Sequence, residues 1–393
     1  MNKIKNISIL ISLLVSSVLM LLANKSFAAN GIKAVWIPDP THTDMMHSYE
    51  NIVEGVRILD EAGINMLYVC MHARSQVGFR SEVYTKNSSY QDVSQSYMFE
   101  KYMSTYNASQ KSLNNDPIKD LIELAHHKGM KVVFWFEYGF MATHGATPED
   151  FPLLAKHPEW QSRGNDGKQA NYNGTDYYLN SYHEGLQHFM LDLIKESITL
   201  YPKVDGVQGD DRMPAAPRNS GYDSYTVAKY QKQFGQEPPR DFEDRQWVEW
   251  RLSILDEFGG KLHKMVKRFD KKMLVCFSPN PYPWCEQKLM QNWPSWLEEG
   301  IVDILSVQCY RFSLEHYKST IDEVLYYVER SGVSKDVFNP GIILRTDKLI
   351  PLDLLQQQIE YNREKGITGE AFFWYKAFED EGVHKTISNL YNQ

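Results

Sequence analysis

The sequence predicts an α/β fold of the (β/α)8 class, a TIM barrel with long βα loops after strands two, three and four. Three observations predict it. Eight short runs rich in β-branched and aromatic residues recur along the chain, helix-period segments lie between them, and the runs are near-continuously apolar, as parallel strands buried on both faces are. A doubly wound open sheet is the alternative. It wants a Gly-rich phosphate turn after its first strand, and Ile37-Pro-Asp-Pro40 is no such turn.

The elements follow in order. Residues 1–28 carry Lys3 and Lys5, an apolar run from Ile7 to Ala23, and small residues at Ser26 and Ala28 where a signal peptidase inspects, so they read as a secretory signal peptide. The apolar run is short for a membrane span, and no cysteine follows it for lipid attachment. Strands are expected at 35–37, 66–71, 132–137, 206–211, 274–280, 303–310, 339–344 and 371–375. Helices are expected at 48–62, 117–128, 184–201, 245–269, 315–330 and 352–365, several closed by a glycine (63, 129, 332, 366) in the position a helix C-terminus favours.

Units two, three and four run to about twice the minimal βα length of roughly 30 residues. In each the excess lies between strand and helix, at 74–115, 138–182 and 212–244, whereas the returns to the next strand stay short. All three insertions therefore leave the C-terminal end of the strands, where barrel active sites are built. The expected organisation is a leader over 1–28 and one domain over 29–393.

Composition narrows the function. The formal charge is −8, and loss of the leader, with three lysines and no acid, makes it −11. That excludes a dedicated nucleic-acid or anionic-membrane binder. Aromatics at 13% with 23% charged residues exclude a disordered or coiled-coil chain. The four cysteines (70, 276, 285, 309) show no CxxC spacing; three sit in apolar strand-like runs as small buried hydrophobes, and Cys285 falls in a loop.

Strand parity places Trp135 and Glu137 of strand three inward, Gln208 and Asp210 of strand four inward with Asp211 at the tip, and Ser306, Gln308 and Tyr310 of strand six inward. His72 and Arg74 end strand two, and Trp374-Tyr375 ends strand eight. A carboxylate at a strand tip is costly to desolvate unless it is paired or used, and three acids crowd two adjacent strands. Trp36, Tyr138, Phe140, Tyr282, Trp284, Tyr310, Trp374 and Tyr375 supply aromatic faces of the kind that stack on sugar rings. Acids and aromatics together in an exported barrel point to a glycan. His42, Asp44 and His47 show no recognised ligand spacing, so no metal and no cofactor is expected.

At Trp135-Phe-Glu-Tyr-Gly-Phe-Met141, His157-Pro-Glu-Trp160, Val204-Asp-Gly-Val-Gln-Gly-Asp-Asp211, Gly221-Tyr-Asp-Ser-Tyr-Thr226, Phe277-Ser-Pro-Asn-Pro-Tyr282, Trp296-Leu-Glu-Glu-Gly-Ile-Val-Asp303 and Val307-Gln-Cys-Tyr-Arg311 the sequence resembles a bacterial glycosyl hydrolase-like family, often termed family 10 glycosylhydrolase and distinct from the family-10 xylanases. The resemblance covers nearly the whole chain after the leader. It implies an exported (β/α)8 hydrolase acting on bacterial glycans, with members linked to peptidoglycan. One segment departs: where the family pattern resembles Gln-Phe-Asp-Asp followed by His or Tyr, this chain has Gln208-Gly209-Asp210-Asp211-Arg212.

The function expected is glycoside hydrolysis in a bacterial polysaccharide, peptidoglycan or another amino-sugar glycan, by carboxyl chemistry. Asp211 is the expected general acid, with Asp210 beside it and Glu137 opposite repelling its charge and Arg212 pulling the other way. Glu137 is the expected base or nucleophile, with a substrate acetamido group as its alternative, and Asp210 the orienting group. Arg74, His72, Gln208, Asn280, Tyr282, Gln308, Tyr310, Trp374, Tyr375 and Trp36 are expected to bind substrate. The partner is a polysaccharide, met outside the cytoplasm, with neither nucleic acid nor stable membrane insertion after leader cleavage; the oligomeric state is left open. A glycan-binding protein without turnover is the competing class, and a metal-dependent esterase or deacetylase a third.

Overall fold

The computed structural model describes residues 31–104, 106, 112, 114–144 and 151–391. The leader expected at 1–28 lies outside them. Eight parallel strands appear where apolar runs occur: β1 (Lys33–Ile37), β2 (Met66–Ala73), β3 (Lys131–Phe136), β4 (Gly206–Asp210), β5 (Leu274–Ser278), β6 (Ile304–Leu305), β7 (Gly341–Ile343) and β8 (Glu370–Phe373). Their spatial order is β6-β5-β4-β3-β2-β1-β8-β7, so sequence neighbours pair throughout and β1 also pairs β8. The two ends of this curled sheet are linked by isolated parallel bridges, Leu305↔Phe338 and Gln308↔Gly341. Strand six falls furthest short of its expected span. Beyond Leu305 it still donates Ser306 N–H to Phe277 and Gln308 N–H to Pro279, but it bends at Cys309, whose N–H turns back to Val307.

Parity places the interior as expected. Trp36 Nε1 donates to Gln208 Oε1 at 2.8 Å, from the first strand to the fourth, and the Tyr68 and Ser306 hydroxyls meet at 3.2 Å, from the second to the sixth. Such contacts between strands that are not neighbours require the sheet to curl around a filled centre. Trp36 packs against Tyr68 at 5.3 Å and Trp135 at 6.4 Å between ring centroids. All four cysteines are buried and unpaired.

Helices form where 3.6-residue periodicity meets a capping residue: α1 (Tyr49–Glu61) behind Ser48, α2 (Pro117–His127) behind Asp116, α3 (Glu184–Leu200), α4 (Arg245–Phe269) behind Asp244, α5 (Leu314–Arg330) behind Ser313 and α6 (Leu352–Glu364). Each of those Ser or Asp side chains accepts a first-turn N–H, worth about 1 kcal/mol. Gly63, Gly129, Gly332 and Gly366 follow helix ends with φ of 72° to 76°, the left-handed conformation a side chain would resist. A last helix, α7 (Glu381–Tyr391), was not evident from the sequence pattern. Among the described residues no helix is long and apolar enough to cross a membrane.

The three insertions interlock. Ser75 Oγ of the first donates to Ala142 O of the second, and Phe140 N–H of the second donates to Arg212 O of the third. Farther out, Gly164 bridges Ser220, Tyr222 N–H donates to Arg163 O, and Asn180 Nδ2 donates to Thr226 Oγ1. The second insertion also holds a small antiparallel sheet (Met141–His144, Asp176–Tyr178, Asn171–Tyr172) that the sequence pattern did not announce. The first insertion reaches further than the strand tips, because Ser81, Glu82 and Val83 all bind the Glu196 carboxylate on α3.

Candidate active site

The acids arrive at one place because β2, β3 and β4 are adjacent in register, with Cys70 beside Trp135 and Trp135 beside Gln208. One residue beyond β3, Glu137 keeps partial exposure, its backbone carbonyl 3.3 Å from His72 Nδ1 and its Oε2 3.5 Å from the Cys70 thiol. Withdrawal from water, then the charges of Asp39 and Asp210, push its carboxyl up to about 8, against opposing pulls from Arg212 and Arg74. Glu137 therefore holds a proton at neutral pH.

Asp210 is 1% exposed. Its two oxygens accept the N–H groups of Tyr138 at 3.1 Å and Arg212 at 2.9 Å, so this side chain ties the β3 and β4 tips together. Burial, then repulsion from Asp211, raise its carboxyl well above the ordinary range. Asp211 is engaged differently. Arg212 Nη1 donates to its Oδ1, and Asn280 Nδ2, from the end of β5, donates to Oδ2 at 3.0 Å. The crowding of like charges expected at Asp211 thus falls on Glu137 and Asp210, while Asp211 faces a guanidinium and an amide. Tyr310, just past the bend that follows β6, senses Asp211, Asp210 and Glu137 together, which places all three in one neighbourhood.

Around them Arg74, Tyr138, Arg212, Asn280, Tyr282, Gln308, Tyr310 and Trp374 are partly exposed. Arg74 and Tyr138 hold backbone φ of 51° and 61°, a region non-glycine residues rarely occupy and one that clusters at functional sites. Four residues expected to bind substrate are placed elsewhere. Trp36 (1% exposed) donates its indole N–H to the Gln208 (0%) amide oxygen, and the two fill the centre of the barrel. His72 (1%) packs beneath Glu137, its ring kept neutral by burial, which lowers its pKa to about 4. Tyr375 is buried beyond the tip of β8, where the chain coils into a 3-10 turn and ends the strand alternation; its hydroxyl senses Glu379, Asp44 and Glu54 rather than the acids.

One acid was missed. Asp39, two residues beyond β1, is 1% exposed and holds Thr41 N–H, Thr41 Oγ1 and His42 Nδ1 at 2.9, 2.5 and 3.1 Å. Its charge is the largest electrostatic contribution raising Glu137. The signal was present in Ile37-Pro-Asp-Pro40, an acid just beyond a strand tip at the same end of the sheet as the other three. His42 is thereby spent on Asp39, and His47 meets Pro40 O, so His42, Asp44 and His47 form no ligand set; among the described residues no cluster suited to a metal occurs. Because Asp39 helps hold the proton on Glu137, Asp39→Asn lowers that pKa. Titration of the Glu137 carboxyl followed by NMR is expected to move to lower pH than in the wild type, and an unmoved titration would contradict the coupling.

The departure at Gly209 has a steric cause. A Cβ there would stand 2.4 Å from the Met213 carbonyl and 3.0 Å from the Phe277 ring, because the turn after Asp210 folds back over β4. Backbone cannot yield cheaply at that distance, so no aromatic fits this turn.

The family described as Glycosyl hydrolase-like 10 matches residues 31–333. The chain belongs to this family. Among solved structures, the glycosyl hydrolase-like 10 chain is similar to the PgaB (BpsB) glycoside hydrolase domain from Bordetella bronchiseptica, at 14% identity over 92% of this chain and 98% of that one, with a TM-score of 0.60. It is also similar to the catalytic domain of β-amylase from Paenibacillus polymyxa, at 12% identity over 92% and 97% of the two chains (TM-score 0.58), and to α-L-fucosidase isoenzyme 2 from Paenibacillus thiaminolyticus, at 14% identity over 92% and 49% (TM-score 0.58). At such identities the likeness speaks for the fold. No curated protein sequence matches the chain.

Proposed function

We propose that this chain is a glycoside hydrolase built on a closed (β/α)8 barrel, cleaving an amino-sugar polysaccharide such as peptidoglycan. The observation that carries the reading is the division of labour among the acids: one partly exposed carboxyl that holds its proton at pH 7, Glu137, beside one that is ion-paired, Asp211. A glycosidase needs that contrast, one group to protonate the leaving oxygen and one to act as nucleophile or base.

The roles expected from sequence are accordingly exchanged. Glu137 is the general acid. Asp211, oriented by Arg212 and Asn280, is the nucleophile or base, and a substrate acetamido group could take the nucleophile's place. Asp210, whose oxygens already hold two backbone N–H groups, positions the other two rather than the sugar. Tyr310 and Trp374 offer ring faces, and Asn280 and Gln308 polar contacts. Barrel closure is supported by the bridges between β6 and β7. Export rests on the leader read in 1–28, and an exported form beginning at Ala29 on N-terminal sequencing is its test.

Reducing-end release from purified peptidoglycan and a panel of exported polysaccharides tests the activity. A protein that retains a glycan yet releases no reducing ends from any of them would replace the hydrolase with the binding-protein reading.

A further inference from the structure

Arg74 stands at the mouth of the cleft in an unusual state. It directly follows β2, half-buried, and its Nε is shielded from solvent with no acceptor. Its guanidinium lies 5.3 Å from the Tyr138 ring centroid, while Arg212 covers the same ring at 4.7 Å. Of these two cations Arg212 has Asp211, but Arg74 makes no ion pair among the described residues. A cation drawn out of water without a counter-charge is costly.

The charge of Asp39 reaches Arg74 from a distance, but no described acid contacts it, since the oxygens of each are already committed. Asp39 holds Thr41 and His42, Asp210 holds two backbone N–H groups, Asp211 holds Arg212 and Asn280, and Glu137 carries a proton at neutral pH. The position is also rigid. Arg74 and Ser75 both sit at positive φ, 51° and 58°, and Ser75 is anchored at both its hydroxyl, to Ala142 O, and its carbonyl, from the Tyr84 hydroxyl.

We infer that Arg74 is an anion subsite beside Glu137, and that the saccharide bound across the acids carries a carboxylate or phosphate on a sugar next to the scissile bond. The planar guanidinium suits either group through paired N–H donors, which an ammonium cannot reproduce. This rests on the glycoside-hydrolase reading of the same cleft and adds the charge class of its substrate.

The test measures binding by titration calorimetry on the full chain, so it does not depend on turnover. The probes are peptidoglycan glycan strands freed of peptide, which expose lactyl carboxylates; the same strands with those carboxyls reduced to alcohols; and poly(glycerol phosphate). Wild-type protein is expected to bind the carboxylated strands at least about tenfold more tightly than the reduced ones. Arg74→Gln should level the two affinities, and Arg74→Lys should keep only part of the preference. Preference for poly(glycerol phosphate) alone would assign the subsite to phosphate. Equal wild-type affinity for carboxylated and reduced strands without affinity for poly(glycerol phosphate), binding of no probe at all, or a preference surviving in folded Arg74→Gln would overturn the inference. Charge discrimination without hydrolysis of any glycan would leave the subsite standing and remove the hydrolase reading, and hydrolysis without charge discrimination would do the reverse.

Discussion

Glu137→Gln lowers turnover on a cleaved glycan by at least about 100-fold while changing affinity for it only a few-fold. The amide keeps the shape of the carboxyl and removes the proton that the leaving oxygen needs. Asp211→Asn is expected to be impaired as severely, for the opposite reason that it loses the charge Arg212 holds in place. Initial rates of reducing-end release, set beside binding of the same glycan, separate a chemical defect from a binding defect. Near wild-type turnover in folded Glu137→Gln would remove the acid from the mechanism.

The same residue carries a stability signature. Its folded-state pKa of about 8 lies above the ordinary carboxyl value, so between the two values the folded chain binds a proton that the unfolded chain has released. Stability is therefore full below the unfolded pKa and declines as pH rises from there to about 8. The decline amounts to roughly 3 kcal/mol once partial exposure is allowed for. Glu137→Gln abolishes it, so melting curves taken from pH 5 to 9 should converge at the acid end and separate, with the variant higher, at the alkaline end.

Arg251→Met destabilises the fold by about 3–5 kcal/mol, the cost of breaking a buried charged network. Arg251 lies in the second turn of α4 yet is 0% exposed. Its guanidinium donates to the carbonyls of Trp247, Arg218, Ser220 and Phe242, and packs 4.8 Å from the Trp247 ring. Three of those carbonyls belong to the third insertion, which this one side chain fastens to the barrel. Gly221 makes the approach possible, since at φ 100° its missing Cβ would press on Trp247 and Arg251. Methionine fills most of the volume but leaves buried carbonyls without donors. Urea unfolding measures the loss, and limited proteolysis should cut first within 212–244; equal stability of the two proteins would show that water replaces the guanidinium.

How far the amino-acid sequence reaches can be seen from these residues. The eight strands and six principal helices were evident in order, because burial on both faces writes a short apolar run and burial on one face writes a 3.6-residue period. Both patterns depend on residues within a few positions of each other. The placement of the insertions followed from where the chain was long, and the inward parity of Glu137 and Asp210 from a period of two.

The protonation of those acids was not readable in the same way. It depends on how much water each loses and on charges that reach it through space. Glu137 is raised by Asp39, nearly a hundred residues earlier in the chain, and Asp211 is held by Asn280, nearly seventy later. Likewise the α4 periodicity marks position 251 without saying that an arginine there binds the carbonyls of another segment. Local pattern determined which elements form and which way their side chains point. Only the curled sheet, by bringing the tips of strands one, three, four and five to one desolvated spot, decided which carboxyl keeps its proton.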